Sequence, residues 1–200
     1  MSMAAALVSL STLLAVSTQA PAQTAAQPPA SAPPQTQSAQ PPAASGVQPA
    51  EAMKRLDFLL GTWEGTGWIQ TGRERATFRQ RETVRTAAGG TVIIIDGLGR
   101  SLDPAQADRI VHQAFAVVSF DATSQQFRWR AFRADGNEID ATPEVSTDKL
   151  VWGFTPPKGP TVRFTLTRSA AGEWVEVGEV SMKPGEWMKF FEMTLKKIDS

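Results

Sequence analysis

One histidine and a few carboxylates carry whatever acid–base chemistry this chain of 200 residues can hold. His112 stands in VHQAFAVVSF, at the parity of Ala114, Ala116, Val118 and Phe120, and on a strand one parity is one face. A histidine on an otherwise apolar face can ligate haem, serve as a general base or hydrogen-bond a ligand; the plainer reading is a rim histidine satisfied by a neighbour. A lone histidine excludes a two- or three-histidine zinc site, and the leading reading has no metal and no cofactor. Glu82 shares a parity with Ala76, Phe78, Gln80 and Val84, while Arg75, Arg79, Arg81 and Arg85 take the other. An arginine row is ordinarily a solvated face, which turns Gln80 and Glu82 inward. On a later segment Arg128 and Arg130 share a face with Phe132, and Phe127 shares the other with Trp129. A charge inside a protein needs a partner. Glu82 with Arg130, and Glu192 as a third member, would form an internal cluster that either orients a polar ligand head or fixes strand register. The parity of Glu192, opposite to Phe191 and Met193, counts against its membership.

Other chemistries are excluded by composition. The chain has no Cys and no Tyr, which removes thiolates, disulfides and the phenol acid. No serine elbow, P-loop, HExxH or CxxC occurs. Gly97-Leu98-Gly99-Arg100 lacks a third glycine and a following helix, so it reads as a turn rather than a phosphate loop. Zero formal net charge gives no basic footprint for nucleic acid.

The elements that must position these residues are strands. Every charged side chain lies at Glu51 or later. Before that, Ala4 to Val16 is a 13-residue apolar run followed by Ala20-Pro21-Ala22. It predicts a signal peptide over 1–22, cleaved after Ala22 or Ala20, although Met1-Ser2-Met3 brings no positive charge. Residues 23–48, nearly all Gln, Ala, Pro and Ser, predict a disordered linker. Residues 49–199 form one domain, periplasmic or secreted and with no transmembrane anchor after cleavage. Within it PAEAMKRLDFLL predicts a short helix ended by Gly61, with Met53, Leu56 and Leu60 on one side. Alternating segments then predict strands at 62–70, 74–88, 91–98, 111–120, 126–134, 138–146, 149–155, 161–168, 173–182 and 186–198, separated by tight-turn residues. The expectation is an all-β fold, an antiparallel up-and-down barrel of about ten strands with one N-terminal helix. The sets Val162/Phe164/Leu166, Leu150/Trp152/Phe154 and Trp187/Phe191/Met193/Leu195 should face its lumen. A barrel of that width keeps a largely apolar cavity.

Gly61-Thr62-Trp63, set between helix and first strand, resembles the Gly-x-Trp signature of lipocalin-like (calycin) barrels. The resemblance implies that Trp63 closes one end of the lumen, with a basic residue of the last strand over its ring. In FFEMTLKK that residue is Lys196 or Lys197, and Lys196 is taken first, with Lys in place of the usual Arg. LLGTWEGTG is similar to the opening of nitrobindin-type barrels. With Phe78 to Thr83, Ala116 to Asp121 and the FFEMTL ending, the chain looks most like exported bacterial lipocalin-like proteins of unassigned function. Nitrobindin-type haem binding uses a histidine near the last strand, and residues 186–198 contain none. The resulting expectation is a binding module for a small apolar or amphipathic ligand. Trp129, Trp152, Phe164 and Phe191 are its wall, and Glu82, Arg130 and His112 its polar anchors. An isomerase, cyclase or hydrolase using Glu82, His112 or Glu192 is the second reading, and a haem or gas carrier using His112 the third.

Overall fold

The computed structural model describes residues 46–134 and 136–198; the expected leader, and the linker up to residue 45, lie outside them. The described residues open with an α-helical turn, α1 (Pro49–Met53), that tightens into a 3-10 helix over Lys54–Leu59. The tightening moves the buried face. Side chains three apart eclipse in a 3-10 helix, so the buried set is Met53, Leu56 and Leu59, not Leu60.

Eleven strands follow among the described residues: β1 (Gly61–Thr71), β2 (Glu74–Ala87), β3 (Val92–Ser101), β4 (Ile110–Asp121), β5 (Gln126–Phe132), β6 (Glu138–Ala141), β7 (Glu144–Ser146), β8 (Lys149–Phe154), β9 (Thr161–Arg168), β10 (Trp174–Lys183) and β11 (Glu186–Ile198). All neighbours pair antiparallel in the order β6-β5-β4-β3-β2-β1-β11-β10-β9-β8-β7. The fold is the expected all-β meander, curled into a barrel-like sheet with β1 beside β11, Thr62 opposite Ile198.

The segment expected as one strand over 138–146 is two strands that pair with opposite edges of the sheet. Its first part pairs with β5 and its second with β8. Pro143 supplies no N–H to a ladder, and the break falls at Thr142-Pro143. This bent segment joins the two edges covalently. Beside it, side chains close the seam: Trp129 of β5 stacks on Trp152 of β8 at 4.9 Å between centroids, and Trp152 on Phe164 of β9 at 4.6 Å.

The helical turn and Trp63 plug one end. The Trp63 indole N–H donates to the Leu59 carbonyl at 2.8 Å, and its ring meets Trp174 edge-on. The basic residue over it is Lys197, whose Nζ lies 5.6 Å from the ring centroid. Lys196 is displaced from that role by parity: it points outward, 3.9 Å from Glu173. Gly61 belongs to the same closure. Its φ of +117° suits glycine, and a Cβ there would stand 2.5 Å from Lys197 Cε. Gly65 and Gly67 do not leave lumen room. A Cβ on Gly65 would strike the Thr194 carbonyl at 2.0 Å, and one on Gly67 would meet Met193 Cβ and Phe78 Cζ at 2.7 Å.

A bulge in β11 changes which aromatics face inward. Gly178 pairs with Phe191 and Glu179 with Lys189, which leaves Phe190 as the extra residue. Beyond the bulge Trp187 faces out, with the Arg163 guanidinium 4.0 Å over its ring. Trp68 is also external, under Arg75 at 3.7 Å, as is Glu64, paired with Arg81.

Candidate functional site

The curled sheet encloses a cavity of about 630 Å³. Trp129, Trp152, Phe154, Phe164, Trp174 and Phe190 supply its aromatic wall. Small side chains on β4 and β5, Ala114, Ala116 and Ala131, leave the volume. Exposed members of the lining, Ile110 at the start of β4 and Phe132 at the end of β5, mark the mouth. The plug lies at the opposite end of the same strands.

Two carboxyls line this cavity, Glu82 from β2 and Glu176 from β10. Glu82 is 1 % exposed. Its Oε1 accepts from Gln80 Nε2 at 2.8 Å, and Gln80 Oε1 lies 3.2 Å from His112 Nδ1. These three side chains form a buried hydrogen-bonded row across β2 and β4. Glycines on β3, between them, make the row possible. A Cβ on Gly97 would stand 2.1 Å from Glu82 Oε2, and one on Gly99 2.3 Å from Gln80 Oε1. Gly97-Leu98-Gly99 is therefore a strand segment that admits polar side chains, not a turn.

Electrostatics follow from burial. Desolvation pushes Glu82 up to about 8, with the nearby Glu176 charge next and Asp96 adding a little, while the Gln80 hydrogen bond pulls down. Glu176 faces the cavity and burial also pushes it up to about 8; the Trp174 indole N–H, short of full hydrogen-bond geometry, pulls the other way. His112 is pushed down to about 4 by burial, which keeps the imidazole neutral. Its ring lies 5.6 Å from Phe78 and 5.0 Å from Phe191. Among the described residues, neither Glu82 nor Glu176 takes part in an ion pair. The side-chain polar atoms buried without a hydrogen bond are Glu82 Oε2 and the indole nitrogens of Trp129, Trp152 and Trp174, and all four belong to cavity-lining residues.

Five of the residues named from sequence line this cavity: Glu82, His112, Trp129, Trp152 and Phe164. Arg130 does not. Its neighbour Trp129 takes the inner face, so Arg130 points outward, 63 % exposed and 3.7 Å from Asp140 across the β5–β6 pair. The Glu82–Arg130 cluster does not form. Phe191 lies behind the wall, buried against Phe78 and His112, and its neighbour Phe190 lines the cavity in its place. Glu192 is outside, bonded to Lys189 at 3.0 Å. Glu176 was not singled out from sequence. In WVEVGEV Val175 and Val177 take the outer face and Trp174, Glu176 and Gly178 the inner one, inverting the usual pattern.

No family model and no curated protein matches the chain. Among solved structures, the crystal structure of Rv2717c from M. tuberculosis matches with a TM-score of 0.53 and 10 % identity, covering 76 % of this chain and 99 % of that one. The chain shares its fold. At that identity the likeness extends to the barrel-like architecture and no further. Among the described residues, no helix is long and apolar enough to cross a membrane, and no three His, Cys, Asp or Glu side chains group to hold a metal ion.

Proposed function

We propose that this protein is an exported, lipocalin-like binding module whose cavity holds a small, largely apolar ligand with a polar group. The observation that carries this reading is a 630 Å³ aromatic cavity four of whose lining residues each hold a buried polar atom without a partner. A buried polar atom without a hydrogen bond costs about 1–3 kcal/mol, and an occupant with a complementary group offsets that cost. The apolar run at residues 4–16 supports export. Native mass spectrometry of the purified full chain, before and after incubation with a panel of eight- to twelve-atom apolar molecules, tests the reading. A one-to-one adduct that is lost in Ala114→Phe, which fills the cavity, is the expected result. A wild-type chain that carries and takes up none of the panel overturns it.

A second reading, acid–base catalysis, draws on a specific observation: Glu82 is 1 % exposed, raised to about 8 and linked through Gln80 to His112. A carboxyl poised near neutrality inside a dry pocket suits general acid or base work. A catalyst of this kind would lose turnover in Glu82→Gln with its substrate still bound.

A further inference from the structure

We propose that the ligand's polar group is a cation, an ammonium or alkylated amine carried on an apolar body, held at the inner end of the cavity between Glu82 and Glu176. The proposal rests on the binding reading above and names the class of ligand.

The charge pattern of the cavity is one-sided. Two carboxyls, Glu82 of β2 and Glu176 of β10, line the cavity, near enough for the charge of one to act on the other. The groups around them add no positive charge at depth. Gln80 and the neutral His112 flank Glu82 on β2 and β4, Asp96 lies behind it on β3, and Trp174 accompanies Glu176 on β10. The basic lining residue, Arg133, follows the end of β5 at the mouth and has an interaction of its own. An anionic ligand entering this space meets two acids, whereas a cationic one meets two partners.

The wall suits the ligand's apolar body. Trp129, Trp152 and Phe164 form a continuous aromatic stack with interplanar angles of 18° and 15°. The ring faces lie against one another, so the stack offers an apolar surface that buries the ligand's body. Glu82 Oε2 lacks a hydrogen-bond partner and packs against Gly97; when the carboxyl turns toward the lumen it becomes an acceptor for an ammonium N–H. Proton bookkeeping is simple. At neutral pH the carboxyls are largely protonated; the ammonium keeps its proton, and a carboxyl releases one to solvent as the ion pair forms.

Octylammonium, 1-octanol and octanoate share a body and differ in head group. Each is titrated by isothermal calorimetry into the full chain at pH 6, 7.5 and 9. The expected result is an amine-over-alcohol preference of about tenfold at pH 7.5, increasing toward pH 9, with octanoate weakest. In Glu82→Gln/Glu176→Gln, checked for folding by circular dichroism, the preference falls to about one. Octanol or octanoate binding as tightly as the amine, or a preference that survives the double variant, overturns the cation proposal and leaves the binding reading standing. Failure of all three probes to bind overturns both. The wild-type ranking and its pH trend decide the question even if the double variant does not fold.

Discussion

At the scale of single residues, Glu82 and its glycine govern the inner end of the cavity. A Gly97→Ala Cβ would stand 2.1 Å from Glu82 Oε2 with β3 backbone fixed on both sides. Overpacking of this kind costs about 1–3 kcal/mol, so the unfolding free energy from urea titration should fall by that amount. In Glu82→Ala the obstruction is gone, and Gly97→Ala should then cost much less. A double-mutant cycle reads the difference. Titration gives a second outcome. Because the folded pKa of Glu82 is about 8, above the ordinary 4–4.5 of an unfolded glutamate, the folded state holds more protons between those values. The stabilising contribution is complete below about pH 4.5 and is lost as pH rises through 8. His112, lowered to about 4, works in the opposite sense: its contribution is lost as pH falls from about 6.5 toward 4. Between pH 6.5 and 8.5 the carboxyls act alone, and wild-type stability should decline. Glu82→Gln should flatten that decline, a change that denaturant melts across the range will show.

At the scale of elements, the antiparallel order and most strand positions were legible because alternation and turn residues are local signals, whereas the break at Thr142-Pro143 and the end of β3 at Ser101 were not. Parity was less legible. Trp129 and Arg130 are adjacent on β5, so only one can face the lumen, and the aromatic takes it. In β11 the alternation read correctly from Phe191 to Leu195 but failed at Trp187, because nothing in EWMKFF announces the bulged Phe190. Glu176 went unseen because its flanking valines mimic an inward face. Gly97 and Gly99 looked like turn residues because the polar side chains they accommodate come from another strand. The last strand also carries a sharp contrast. Lys197→Ala removes the cation over Trp63, a contact worth about 0.5–1 kcal/mol, whereas Lys196→Ala removes an exposed side chain and should leave the melting temperature unchanged. Thermal unfolding of the two variants side by side checks the assignment.

At the scale of the whole molecule, backbone pairing covers most of the circumference and aromatic stacking covers the seam. Trp152 joins β8 to β5 through Trp129 and to β9 through Phe164. Trp152→Ala should therefore cost about 3–5 kcal/mol. Trp187→Ala, which strips an external ring from under Arg163, should cost distinctly less. Chemical denaturation of both variants compares an internal and an external tryptophan of the same size.

The seam stack also has an optical consequence. Two indoles stacked 4.9 Å apart in nearly parallel planes exchange excitation energy. Parting of β5 from β8 would weaken that exchange, and Trp129→Phe would remove it. The barrel thus carries a native reporter of whether its seam is shut, readable without any attached dye.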